Sequence, residues 1–159
     1  MSWRPSAYRC DIDPQWIDYN GHLRDAYYTL VFSQAIDALM DEVGLDSTYR
    51  TATGCTLFTL ELHVHYLNEV KASDTISVSA RALGVDAKRL HLGLALNTAR
   101  HAEPVALEEC MLLHVQQGPA PRSAVFPPAI LQRLQAWHAL DAQAPPSVPG
   151  SRQIQLIRR

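Results

Sequence analysis

Tyr28-Thr29-Leu30-Val31-Phe32-Ser33-Gln34-Ala35-Ile36-Asp37-Ala38-Leu39-Met40-Asp41-Glu42-Val43 carries its large apolar residues on one helical line. Tyr28, Val31, Phe32, Ala35, Ile36, Leu39, Met40 and Val43 recur at i, i+3, i+4, i+7, i+8, i+11, i+12 and i+15, one stripe of an α-helix about four turns long. Gly44 follows where a C-terminal glycine cap belongs. A stripe of this length must bury itself against something large.

Its partner is read from the flanking segments. Residues 7–13 read as a first strand ending at Pro14. Residues 55–68 carry Leu57, Phe58, Leu60, Leu62, Val64 and Tyr66; Leu60, Leu62, Val64 and Tyr66 are expected on one face, and Glu61, His63 and His65 on the other. Residues 75–83 alternate Ile76, Val78, Ala80 and Ala82 against Ser77, Ser79 and Arg81. A hairpin loop at 84–87 leads into residues 90–99, where Leu90, Leu92, Leu94 and Leu96 alternate with His91, Gly93, Ala95 and Asn97. Residues 105–116 form a last long strand. Short connections force antiparallel neighbours. The expected architecture is α+β, a curved antiparallel sheet wrapped around one long central helix.

After Gly118 the chain turns proline-rich. A short surface helix is expected over residues 128–139, with Ile130, Leu134 and Trp137 on one face. Residues 144–159 read as a Pro-rich linker and tail that adds an edge strand or is disordered. One domain is expected over residues 1–143, with its core at 6–118.

Composition narrows the function classes. The 159 residues carry a formal net charge of −2, which gives no nucleic-acid or membrane-surface signature. No apolar signal core opens the sequence and no run approaches a membrane span, so a cytoplasmic location is expected. Cys10, Cys55 and Cys110 are odd in number, widely spaced and without a C-x-x-C, and read as small buried hydrophobes. His63 and His65 have ligand-like spacing but no evident third ligand, so no metal is expected. Glu108 and Glu109 are strand neighbours; one of them must point inward, where it would want a partner.

Chemistry concentrates just before the helix, in Trp16-Ile17-Asp18-Tyr19-Asn20-Gly21-His22-Leu23. A carboxylate there sits beside free backbone N–H groups that polarise a carbonyl. Asp18 can attack such a carbonyl or activate water; its bland alternative is a helix cap or loop carboxylate. Gly21 permits a turn or a close approach that a Cβ would block. His22 can orient the loop or hydrogen-bond the substrate.

Asp18-x-x-Gly21-His22-Leu23, followed by Tyr27 and the long helix, is similar to the D-x-x-G-H-[VML]-N signature of hot-dog-fold acyl-CoA thioesterases of the 4-hydroxybenzoyl-CoA thioesterase type. The resemblance continues through residues 61–70 and 86–91 and covers about 6–118. The wording W-I-D-Y-N-G-H and D-A-K-R-L-H most resembles a subgroup associated with carnitine breakdown, whose members hydrolyse betainyl-CoA. Arg24 departs from the family's asparagine.

The resemblance implies hydrolysis of a short acyl-CoA without a cofactor, with coenzyme A as part of the substrate. It implies Asp18 as nucleophile or general base, with Gly21, His22 and the helix-mouth amides of Tyr27 or Tyr28 completing the catalytic set. Trp16, Tyr19, Asn20, Glu61 and Tyr66 are the candidate acyl-binding residues, and Lys88 and Arg89 the candidates for coenzyme A phosphates. The aromatic group suits a quaternary ammonium by cation–π attraction. The resemblance also implies a homodimer or homotetramer with sites between subunits, where Asp18 faces Glu61 or Tyr66 of the other chain. Rival expectations are a hot-dog hydratase or dehydratase, and a non-catalytic acyl-CoA-binding module.

Overall fold

The computed structural model describes residues 3–144. The expected tail at 144–159 lies, but for its first residue, outside the described residues. The elements in order are β1 (Tyr8–Asp11), a 3-10 turn (Pro14–Trp16), α1 (Asp25–Val43), α2 (Ser47–Thr53), β2 (Cys55–Tyr66), β3 (Thr75–Val85), β4 (Arg89–Thr98), β5 (Ala106–Gln116), β6 (Arg122–Ser123) and α3 (Pro128–Asp141). The sheet runs β1-β3-β4-β5-β2, every pair antiparallel, with β6 added to β5.

All eight stripe residues of α1 are buried, and they share one core with Ile76, Val78, Leu90, Leu92, Leu94, Leu96, Cys110 and Leu112 of the sheet. Gly44 ends the helix in the left-handed region at φ 102°, and its N–H closes on the Met40 carbonyl. The four leucines of β4 are sealed because both neighbouring strands are present and α1 lies over them.

Strand β2 departs from simple alternation. Thr59 pairs with Leu112 and Glu61 with Met111, so Leu60 is the extra residue of a β-bulge. The inward set is therefore Leu57, Thr59, Leu62, Val64 and Tyr66, opposite His114, Leu112, Cys110, Glu108 and Ala106. Leu60, expected on the apolar face, is expelled and 55% exposed. β2 is also an edge strand, and Phe58, Leu60 and Leu62 leave apolar surface along it.

Two helices complete the fold. α2 has no sequence periodicity to announce it; the Asp46 side chain caps it by accepting from the Tyr49 N–H. α3 buries Ile130, Leu134 and Trp137 on its expected face. Its last residue, Asp141, accepts from the Ala82 N–H at 3.0 Å and pairs with Arg4, which fastens the helix to β3. Cys55 and Cys110 are buried and Cys10 half-buried, all free thiols. No helix among the described residues is long and apolar enough to cross a membrane.

Candidate active site

The loop before α1 is closed by its own hydrogen bonds. Ile17 bridges Leu23, the Asp18 N–H donates to the His22 carbonyl at 2.8 Å, and the Gly21 N–H donates to the Asp18 carbonyl at 3.0 Å. Gly21 stands at φ 78°, and a Cβ there would meet nothing within 4 Å. Backbone shape, not close approach, is what requires glycine here. The loop is also stitched to the strip before β3: the Leu23 N–H donates to the Val70 carbonyl at 2.8 Å, and His22 bridges Lys71.

Asp18 is held by the turn it makes. Its Oδ1 accepts from the Asn20 N–H at 2.8 Å and from the His22 N–H at 3.2 Å. Its Oδ2 has no partner among the described residues. The His22 amide above all, with the Asn20 amide and the charges of His22 and Arg24 adding to it, holds the carboxyl below its ordinary range, against an opposing effect of burial second only to that of the His22 amide. The group is a half-buried carboxylate with one oxygen anchored and one free.

A cleft of about 470 Å³ opens beside it, lined by Asp18, His22, Leu23, Arg24, Asp25, Tyr28 and residues 66–69. Tyr28 and Tyr66 meet edge-to-face at 5.1 Å. The Tyr66 hydroxyl donates to the Asp25 carbonyl at 3.2 Å, and the Tyr28 hydroxyl to the Asn68 carbonyl at 3.4 Å. Tyr66 thus reaches the Asp18 cleft from its own chain.

Neither expected oxyanion donor, Tyr27 nor Tyr28, keeps an open N–H. The Tyr27 N–H is taken by the Arg24 carbonyl at 3.0 Å, and Tyr28 lies at the fourth helical position, where the first internal helix bond forms. The Ala26 N–H is taken by Asp25 Oδ1. The Asp25 N–H, first in the helix, has no partner among the described residues. Arg24 is the N-cap and makes no side-chain cap bond.

Other candidates fall elsewhere. Trp16 stacks on Tyr27 at 5.7 Å, outside the cleft lining, and Tyr19 projects outward at 92% exposure. The aromatic group is therefore two pairs and an outlier, not one box. Asn20 contributes its backbone N–H to Asp18. Glu61 follows the β2 bulge and pairs with His63 at 3.1 Å. Lys88 donates to Ser123 and Arg89 is clamped on Asp86, at the opposite end of the sheet from Asp18. No cluster of three or more His, Cys, Asp or Glu suited to a metal occurs among the described residues.

Residues 67–69 lie within the stretch that carries the resemblance, but neither they nor their brace is among the site residues read from the sequence. Arg100 binds both oxygens of the buried Asp74, and its Nη2 donates to the Glu69 carbonyl at 3.0 Å. These bonds, with the Lys71 N–H at 2.9 Å, hold the Asp74 carboxyl below its usual range and stiffen the strip that carries the cleft wall.

A concave antiparallel sheet around one helix, with a carboxylate at the helix mouth, defines a hot-dog thioesterase. The family model of the thioesterase-like superfamily matches residues 12–134, and the chain belongs to that family. A betainyl-CoA thioesterase of Pseudomonas aeruginosa is 49% identical over 136 residues, covering 86% of this chain and 85% of its own length. A crystal structure of a thioesterase candidate from Pseudomonas putida KT2440 is 42% identical with TM-score 0.79, covering 95% of this chain and 96% of that one. A Staphylococcus aureus protein solved in complex with CoA is 27% identical with TM-score 0.82, covering 96% and 94%. The chain is an acyl-CoA thioester hydrolase.

Proposed function

We propose that the chain hydrolyses betainyl-CoA to betaine and free coenzyme A, with Asp18 as the catalytic carboxylate. One observation carries this reading: the free Oδ2 of an ionised Asp18 shares a cleft with Asp25, whose N–H at the helix mouth is open. The thioester carbonyl oxygen lies against that amide, where the helix dipole also favours developing negative charge. Asp18, directly or through a water it deprotonates, delivers oxygen to the carbonyl carbon. The C–S bond breaks, the thiolate leaves and takes a proton, and water supplies the oxygen of the product acid. The relative at 49% identity supports the choice of acyl group.

The same reading includes a homodimer built through β2. That strand is an unpaired edge with apolar surface. Antiparallel pairing of two β2 strands sets the start of one beside the end of the other. Arg89 aligns through Leu113 with Phe58 near the start of β2, whereas Tyr66 ends it. Lys88 and Arg89 of one protomer then approach the cleft of the other, where coenzyme A phosphates need cations. Sedimentation should give twice the chain mass, and a monomer with full turnover would remove this part of the reading. A thiol-release assay on betainyl-CoA tests the activity, with an Asp18→Asn protein as control.

A further inference from the structure

Glu108 and Glu109 are both buried, and each has an enclosed oxygen without a partner. Neighbours on one strand, they face opposite sides of the sheet. Glu109 meets His91 at 2.8 Å on the outer side. Glu108 faces α1 and has no hydrogen bond or ion pair among the described residues, although it is only 2% exposed.

Beside Glu108 is a second cavity, of about 250 Å³, between α1 and the strands β2 and β5. Thr29, Ser33 and Asp37 form its helix wall, and Leu57 and Leu62 its strand wall. Asp25, Thr29, Ser33 and Asp37 lie four residues apart on one ridge of α1, so this cavity continues the line that starts in the Asp18 cleft. Thr29 is one turn inward from Asp25, about 6 Å along the axis. Tyr66 links the two spaces: it donates to the Asp25 carbonyl and feels the charge of Glu108.

Resting on the betainyl-CoA reading, we propose that Glu108 is a specificity-determining residue, receiving the trimethylammonium of the acyl group in this second cavity. A buried carboxylate needs a counter-charge, and no lysine or arginine lines the cavity. A quaternary ammonium has no N–H to satisfy; it asks for negative charge and apolar walls, which Glu108, Leu57 and Leu62 supply. In a betainyl thioester the cation is two bonds from the carbonyl carbon. A carbonyl at the helix mouth therefore places the charge toward the next turn. Desolvation raises the empty-site carboxyl to about 7, and a bound cation would lower it again.

The test compares betainyl-CoA with 3,3-dimethylbutanoyl-CoA, the neutral isostere with carbon in place of nitrogen. The wild-type protein should prefer betainyl-CoA. Glu108→Gln should lower the ratio of the two kcat/KM values at least tenfold, mainly through the KM for betainyl-CoA. A second arm needs no variant: the wild-type KM for betainyl-CoA should rise as pH falls below 7, and that for the isostere should not. The other titratable groups facing Glu108 are Asp37 from α1, Tyr66 from β2 and Cys110 on its own strand, while β4 places Leu94 opposite. Burial pushes Tyr66 and Cys110 upward, away from this range. A preference that survives in Glu108→Gln, or equal losses on both substrates, overturns the proposal and leaves the betainyl-CoA reading standing. A wild-type protein that does not distinguish the two esters overturns both.

Discussion

Asp18 and Glu108 are acids in opposite environments. Asp18 is half-buried at the wall of an open cleft, one of its oxygens is saturated by the amides of its own turn, and its carboxyl is held low. Glu108 is enclosed, has no partner, and its carboxyl is pushed to about 7. The loop that carries Asp18 stabilises negative charge before any ligand arrives. The strand that carries Glu108 leaves negative charge uncompensated, and so favours whatever brings a positive one. Backbone amides can preorganise an anion at a loop, whereas a buried carboxylate without a donor gains only from a counter-ion.

Exchanging one Asp18 oxygen for an amide strikes the first environment hardest. Asp18→Asn should lower kcat/KM for thiol release about 10²–10⁴-fold. Asparagine can still accept the two loop N–H bonds, so the melting temperature should hold within a few degrees. Retained turnover in a folded Asp18→Asn protein would break the contrast at once.

Glu108→Gln tests the second environment through stability. The carboxyl ionises near 4.5 unfolded and near 7 folded. Between these values the native state binds more protons, so stability falls as pH rises, and the whole penalty is present above 7. It amounts to at most about 3 kcal/mol. Thermal melts should therefore show Glu108→Gln gaining stability over wild type above pH 7, with the gain gone below about pH 4.5. A pH-independent difference would remove the claim of an uncompensated charge.

Arg100→Ala sharpens the comparison from outside. It strips Asp74 of its guanidinium and the Glu69 carbonyl of a donor. A lower denaturation midpoint than wild type is expected in denaturant melts, since a hydrogen-bonded charged pair is broken. The folded Asp74 carboxyl is depressed, so this contribution is present above the unfolded value and lost as pH falls through the folded one. Gly21→Ala should have the smallest effect, about 1 kcal/mol for a left-handed residue. Its loss in kcat should exceed its rise in KM, because the Asp18 turn is what distorts.

The sequence displayed the core more clearly than the site. The α1 stripe and the β4 leucines are periodic because each lies against one continuous neighbour. β2 misled at Leu60 because a bulge inverts the alternation midway, and no residue type marks it. The open amide at Asp25 was not legible because it depends on where the helix begins, and Arg24 carries none of the usual capping residue types that mark a helix start. Asp18 and Gly21 are read together because the hydrogen bonds that join them are local, closed within five residues. Tyr66, Glu108 and the Arg100–Asp74 brace act across long separations, which only folding brings together. Even so, the need of an inward glutamate for a partner was visible from strand parity alone.

The bulge at Leu60 also sets where this chain tolerates a change of length. Dropping that residue would heal the ladder, since Thr59 and Glu61 already oppose consecutive residues of β5. Shortening the strand anywhere between the bulge and its end would instead transpose the following side chains. An imidazole would then trade sides with the phenol that separates the two cavities, so deletions among related sequences should cluster at this one position.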